Sequence, residues 1–534
     1  MQTNPSTPRT DQSIKLSVTV KSRLEAKYAP ADLQKITDAV NGWIEADAKR
    51  GIQTVHIHVD DATEMNAQGV QPVSGDATAD NIKRAIDALW NRLTPTPHYL
   101  VLFGGDDIVP MFQAPNPSGW EEPKPDAAVP TDNPYATHLP FLPSDPTNSY
   151  IIPERAIGRI PDMVSDPDPA WLLDYLETAI NWKPKVDSSY KLPYAICTAE
   201  AEDAATDFLQ KALNETGLTL FVCPPDEDSS PKARDQLSAG LHITKCHGNQ
   251  GDATFWGFST EDQSTKKHPY PAITSTTLRA LLEPSTVVAS MCCYGAQIFS
   301  PKDADTWPVA STYLRKGALG FVGSTMMAWV GRSVMGPADW IVQGYLKNVL
   351  AGDSLGCAFL GCKQDYQSHY SLKDDILSSD EQKTLIEYIL LGDPSIHPVR
   401  SSQSSKSLIA FQSRQRRRDA RAKLADGIRS CLPTLSDATD AEKAMAGGVF
   451  ISAQKRISKD DSDKLKQFNV KPTAVQVKRV DAPVPGSQET RQSLEYYWSG
   501  KRKRGGHKQF CLLKAETDRK GKLVPGRTAV LYTS

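Results

Sequence analysis

The sequence of 534 residues has no long hydrophobic run. Nowhere do about 18 apolar residues follow one another, as a membrane-spanning helix requires. Its start, MQTNPSTPRTDQSIK, lacks an apolar core of signal-peptide length, so the expectation is a cytoplasmic protein without membrane contact. Cysteine is sparse. The chain has nine, an odd number scattered without framework spacing, which argues against a disulfide-stapled scaffold and leaves a thiol available for chemistry. Metal ligands at a recognisable spacing are missing too. "HIH" at His56 and His58 puts two imidazoles on one face of a strand, but no ligand cluster accompanies them, and Cys357 and Cys362 lack a second pair. No metal and no other cofactor is therefore expected. The glycines of "LFGGDDIVP" are not followed by G-x-x-x-x-G-K-[ST], which removes a phosphate loop from consideration and leaves Asp106 and Asp107 to order the turn.

What the sequence does have is charge divided by sign. Residues 1–400 carry 33 Lys and Arg against 50 Asp and Glu, net −17, whereas residues 401–534 carry 28 against 13, net +15. Between the two halves lies "SSQSSKSLIAFQSRQRRRDARAK", a Ser/Gln-rich stretch running into an arginine cluster, which reads as an exposed linker. In the acidic part, strand-length apolar runs alternate with helical patterns: "IQTVHIHVDD" from Ile52, "ADNIKRAIDALWNRL" from Ala79, "HYLVLFGGDD" from His98. The alternation recurs from Tyr194 ("YAICTAE") through "LHITKCHG", "STVVASMCC" and "GALGFVGST". Short Val/Ile-rich runs separated by helices predict parallel sheets covered on both faces. Two similar α/β units are expected, 1–185 and 186–400, then the basic linker 401–424 and a basic C-terminal domain, 425–534.

Two strand ends carry the chemistry. "HITKCHGNQG" brings His247 out of the run that begins at Leu241, and "VVASMCCYGAQ" brings out Cys292, 45 residues later. In parallel sheets, reactive groups gather beyond the carboxyl ends of strands, so the two should meet at one sheet edge. An imidazole beside a thiol makes a nucleophile, and neighbouring backbone N–H groups can receive an oxyanion. Taken alone, His247 reads more simply as an ordinary hydrogen-bonded histidine, and Cys246 as a small buried residue. Cys293 competes with Cys292 if the nucleophile stands two residues before Gly295. On a strand the two side chains point to opposite faces, so one of them should be buried and inert.

These residues resemble the caspase-fold (clan CD) cysteine peptidases, and the gingipain family most closely. The resemblance rests on "HGNQG" at 247–251, "CCYG" at 292–295, and, in order, "LVLFGGDDIVP", "TDNPYA", "ERAIGRIP", "GALGFVGSTMMAWVG" and "LGDPSIHP". It implies an α/β fold, a caspase-like parallel-sheet sandwich in which an N-terminal pseudo-unit precedes the catalytic unit, here followed by a small basic α+β domain. It implies a dyad of Cys292 as nucleophile and His247 as acid/base, with the N–H groups of Gly248 and Cys292 as oxyanion donors. Trp329 matches a tryptophan that walls the primary specificity pocket. Glu154 and Asp145 are the candidates for the acidic residue that directs cleavage after arginine or lysine.

The linker cluster Arg414, Arg416, Arg417, Arg418 and Arg421 reads as a solvated charge run, an acidic-partner patch or a processing site. A peptidase preferring arginine would find this last target tethered to itself. The basic domain reads as a helix over "DATDAEKAMAGGVFISAQKRI", an exposed loop at "SGKRKRGGHK" and a hairpin closing around Lys520 and Gly521. It is expected to act as a control module that docks on the acidic part, and a nucleic-acid surface through its basic residues and Tyr496, Tyr497 and Trp498 is the less favoured reading. The functional expectation is an intracellular cysteine endopeptidase acting on protein substrates. It would be switched on by an upstream protease or by itself, in a prokaryotic signalling or defence cascade. The alternative is a degenerate caspase-fold interaction protein.

Overall fold

Ten short runs, most of them rich in apolar residues, form one sheet: β1 (Ser13–Thr19), β2 (Ile52–His58), β3 (Tyr99–Phe103), β4 (Ala156–Ile160), β5 (Tyr194–Thr198), β6 (Phe221–Cys223), β7 (Leu241–Lys245), β8 (Val287–Ser290), β9 (Gly320–Ser324) and β10 (Tyr388–Gly392). The computed structural model describes residues 13–118, 127–143, 150–151, 153–259, 269–374 and 377–400, and in the basic part 451–453, 474–483, 490–504, 507–517 and 523–533. The chain divides into two units, Met1–Ser404 and Ser405–Ser534.

In the first unit the strand order is β2-β1-β3-β4-β10-β9-β8-β7-β5-β6. Every neighbouring pair is parallel except β9 with β10. This modifies the expectation of parallel sheets: there is one mixed sheet, and β10 reverses its direction. The reversal has a consequence for the site. The carboxyl ends of β5, β7, β8 and β9 share one edge with the amino ends of β4 and β10. Each half winds in the same sense, β2-β1-β3-β4 in one and β6-β5-β7-β8 in the other. Residues 185–186, where a join was expected, lie inside the first unit, as a short strand, Lys185–Val186, paired with Val399–Arg400. Central strands are covered on both faces: all four residues of β8 are buried, which is why its sequence is continuously small and apolar rather than alternating.

The motif "LGDPS" ends β10 and ties the two halves. Asp393 Oδ2 accepts from Lys15 Nζ of β1 at 2.6 Å and from Trp43 Nε1 at 2.9 Å, and Lys15 also pairs with Asp47 at 2.5 Å. All three charged side chains are fully buried. Burial pushes the Asp393 carboxyl up, and the Lys15 charge with hydrogen bonds from Ser395 more than offsets it, leaving Asp393 below its ordinary range.

The described part of the second unit is an antiparallel meander: Ile451–Ala453, Ala474–Pro483, Thr490–Arg504, His507–Thr517 and Leu523–Thr533. The expected final hairpin is there, pairing His507–Thr517 with Leu523–Thr533, while Lys520 and Gly521 lie outside the described residues. Two expectations change. "SGKRKRGGHK" is not a long loop, because strand runs to Arg504 and resumes at His507, with the two in register. The two intervening glycines are a hairpin signal that the basic composition obscured. Within the expected helix, Ile451–Ala453 is strand, paired with 477–479; the rest of that segment lies outside the described residues.

Candidate active site

Three strand carboxyl ends within residues 194–293 lie at one edge of the sheet. His247 follows β7, Cys292 and Cys293 follow β8, and Glu200 lies just past β5. Strands β7 and β8 are parallel, with Thr244 level with Ser290. Continued along the chain, this register brings Cys246 level with Cys292 and His247 level with Cys293. Alternation then sorts the side chains by face.

Cys292 faces inward with Thr244 and Cys246. It is fully buried. Its Sγ accepts the Cys246 N–H at 3.3 Å and lies 3.4 Å from Thr244 Oγ1, while its own N–H is given to Ser290 Oγ at 3.2 Å. Burial pushes this thiol up, but the hydrogen bonds from Cys246, Thr244 and Ser290 prevail and hold it below its ordinary value. Cys293 is the half-buried member of the pair and stands on the other face, with Met291. Its Sγ points to the Ala328 carbonyl at 3.7 Å. Burial pushes the Cys293 thiol up to about 11, so at neutral pH it is protonated and needs a base.

His247 stands on the Cys293 face. Its Nε2 meets Glu200 Oε1 at 2.6 Å, and its ring abuts Phe258 edge-on, with ring centres 4.9 Å apart. Glu200 is a residue that sequence reading missed: it lies 47 positions before the histidine, in a run noted only for its strand. The one available signal was its place beyond a strand end. Arg332 Nε also approaches the same Glu200 oxygen, at 3.7 Å.

Backbone geometry explains the glycine after the histidine. A Cβ on Gly248 would sit 1.9 Å from the Cys293 carbonyl oxygen, so any side chain there would force His247 and Cys293 apart. Past Cys293 the chain turns sharply. Tyr294 holds φ of 55°, a left-handed value uncommon for a bulky residue, while its N–H reaches the Met326 carbonyl at 2.6 Å. The strained turn is thereby fastened to the segment after β9.

Trp329 belongs to that same segment, half-buried and one residue after Ala328, whose carbonyl faces the Cys293 Sγ at 3.7 Å. Glu154 shares the sheet edge, before β4, but is exposed and accepts the His138 N–H at 2.8 Å within the N-terminal half. Asp145 and the cluster Arg414, Arg416, Arg417, Arg418 and Arg421 lie outside the described residues. His56 is half-buried and bonded to Ser17, with His58 turned to Glu64. Among the described residues no group of three or more His, Cys, Asp or Glu side chains could hold a metal ion, and no helix is long and apolar enough to cross a membrane.

The family model of peptidase family C25 matches residues 28–399. The chain belongs to that family. It is a cysteine peptidase of the gingipain family in clan CD. No curated protein matches it. Among solved structures, one titled "Structure of Protease" is similar at 12% identity, with 98% of each chain covered and a TM-score of 0.50. A complex of Porphyromonas gingivalis RgpB pro- and mature domains aligns at 14% identity, covering 97% of this chain and 99% of that one, with a TM-score of 0.48. The Arg-specific cysteine proteinase gingipain R aligns at 13% identity over 99% of each, also at 0.48. At 12% identity the first of these shows likeness of fold alone, mixed α/β around a large, mostly parallel sheet.

Proposed function

We propose that this family C25 peptidase is an endopeptidase whose nucleophile is Cys293, with His247 as general base and acid and Glu200 as the carboxylate that orients the imidazole. One observation carries the reading: the register of the two parallel strands, continued past their ends, brings His247 level with the half-buried Cys293, whereas Cys292 is fully buried in the core. Glu200 holds the Nε2–H, so proton transfer runs through Nδ1. His247 takes the proton of the neutral Cys293 thiol as sulfur attacks the peptide carbonyl. The N–H groups of Gly248 and Cys293 receive the oxyanion, and the imidazolium protonates the departing amine. Water, deprotonated by His247, then releases the acyl group from sulfur.

A second reading keeps Cys292 as nucleophile, favoured by its lowered thiol pKa. It requires a fully buried sulfur to reach substrate. Cleavage after a basic residue, arginine before lysine, rests on the family resemblance, with the pocket acid unassigned. The chain is further read as an intracellular proenzyme of two tandem caspase-like units, a reading supported by the repeated strand order of the halves. Processing within residues 414–421, by itself or by an upstream protease, would activate it in a signalling or defence cascade.

An arginyl chloromethyl ketone followed by peptide mapping tests the site and the specificity together. The expected adduct is on Cys293, lost in H247A; an adduct on Cys292 would support the second reading. An unlabelled chain that also leaves casein uncut after limited trypsin treatment would mean a degenerate fold.

A further inference from the structure

The segment GRSVMG at 331–336 lies beside the dyad, and the chemistry above makes no use of it. It is a closed loop. A Cβ on Gly331 would fall 2.6 Å from Gly336 N, and one on Gly336 would fall 2.5 Å from Gly331 N, so the two glycines stand back to back at its neck. One carboxylate fastens both. Asp339 Oδ2 accepts the Gly331 N–H at 2.8 Å and the Gly336 N–H at 2.7 Å. Its other oxygen, Oδ1, pairs with Lys245 Nζ, and both side chains are buried, 0% and 2% exposed. Lys245 precedes His247 by two residues on the same strand face. The clamp therefore links the loop directly to the strand that carries the base.

What the loop presents is unusual for a surface turn. Val334 is 74% exposed, one of few large apolar side chains left open in the described residues. Arg332 reaches back to Glu200, which places the loop at the rim of the site. Burying two charges is costly, and a simple turn can be closed without that expense. The pair fixes a loop that would otherwise sample many shapes, and ordering a binding loop in advance lowers the entropic cost of taking up substrate.

We propose that Asp339 is a positioning residue for a substrate-contacting loop: anchored by Lys245, it clamps the neck of 331–336 so that Val334 meets a bound peptide beside Cys293. The inference rests on the peptidase reading above. It concerns substrate uptake and leaves the chemical step to the dyad.

The test uses the full chain, dye-quenched casein as substrate, and iodoacetamide alkylation of Cys293 as a readout that needs no loop. D339N, G336A and V334S are compared with the unaltered chain. D339N strands a buried ammonium and can lower stability. G336A leaves the Lys245 and Asp339 side chains in place while its Cβ forces the neck open. Expected is a rise in KM of about fivefold or more for all three, with kcat within about twofold and the alkylation rate unchanged. Unchanged KM in G336A and V334S, with Cys293 still alkylated, would overturn the proposal alone. So would a parallel fall in kcat, alkylation rate and melting temperature, which indicates a merely structural role. No alkylation of Cys293 and no casein cleavage in the unaltered chain would remove the peptidase reading and the proposal with it.

Discussion

At the scale of single residues, Glu200 decides how His247 behaves. A carboxylate 2.6 Å from Nε2 holds the imidazole in one orientation, so E200Q should lower kcat/KM about 10- to 100-fold with little change in melting temperature. Arg332 draws on the same oxygen from 3.7 Å, and because it is more than half exposed R332Q should change kcat/KM by less than about threefold, an effect that fades in high salt. Equal losses in the two variants would contradict this arrangement. Cys292 and Cys293 differ by one position yet have separate environments, because strand alternation sends one into the core and the other to the edge.

At the scale of elements, the site is assembled from loops that follow strands, and this much was legible in the sequence. Val- and Ile-rich runs ending in His-Gly and Cys-Cys located the sheet edge where His247 and the cysteine pair lie, since buried parallel strands leave a strong apolar signature. Three things were not legible. β1, SIKLSVT, carries a lysine and three hydroxyl residues and does not read as a buried strand; Lys15 is tolerated there only because Asp47 and Asp393 meet it. The antiparallel β10 has the same apolar pattern as a parallel strand, and direction leaves no mark on composition. Glu200 depends on a fold-level neighbour rather than on spacing. A buried lysine offers a check at this scale. Lys363, on the helix Leu355–Asp374, is fully surrounded, and its Nζ donates to Asn133 Oδ1 at 2.5 Å and the Tyr388 carbonyl at 2.7 Å, joining that helix to β10 and the N-terminal half. Burial lowers its pKa to about 7. Between that value and the ordinary lysine range the unfolded chain binds the extra proton, so stability should rise with pH across this window. Denaturant titrations at several pH values should show that rise in the unaltered chain, and K363M should flatten it; an equal slope in both would refute the assignment.

At the scale of the whole molecule, the Lys15, Asp47 and Asp393 knot makes the two halves of the ten-stranded sheet interdependent. D393N should cost about 3–5 kcal/mol, the usual penalty for leaving a buried charge without its partner, with both halves unfolding in one transition. Separate transitions in the unaltered chain would contradict a single cooperative sheet. The linker prediction belongs here too: Gln at Arg414, Arg416, Arg417, Arg418 and Arg421 should abolish fragments ending in that cluster and delay activation. Intact-mass analysis over time would show it, and unchanged processing would discard the proenzyme reading. The central claim is that Cys293 and not Cys292 performs the attack, and turnover of dye-quenched casein by C292A and C293A, purified side by side, tests it most directly. C293A should lose at least about a thousandfold in rate while C292A stays within about tenfold of the unaltered chain, paying only a small packing cost. An active C293A beside an inactive, folded C292A would contradict the account.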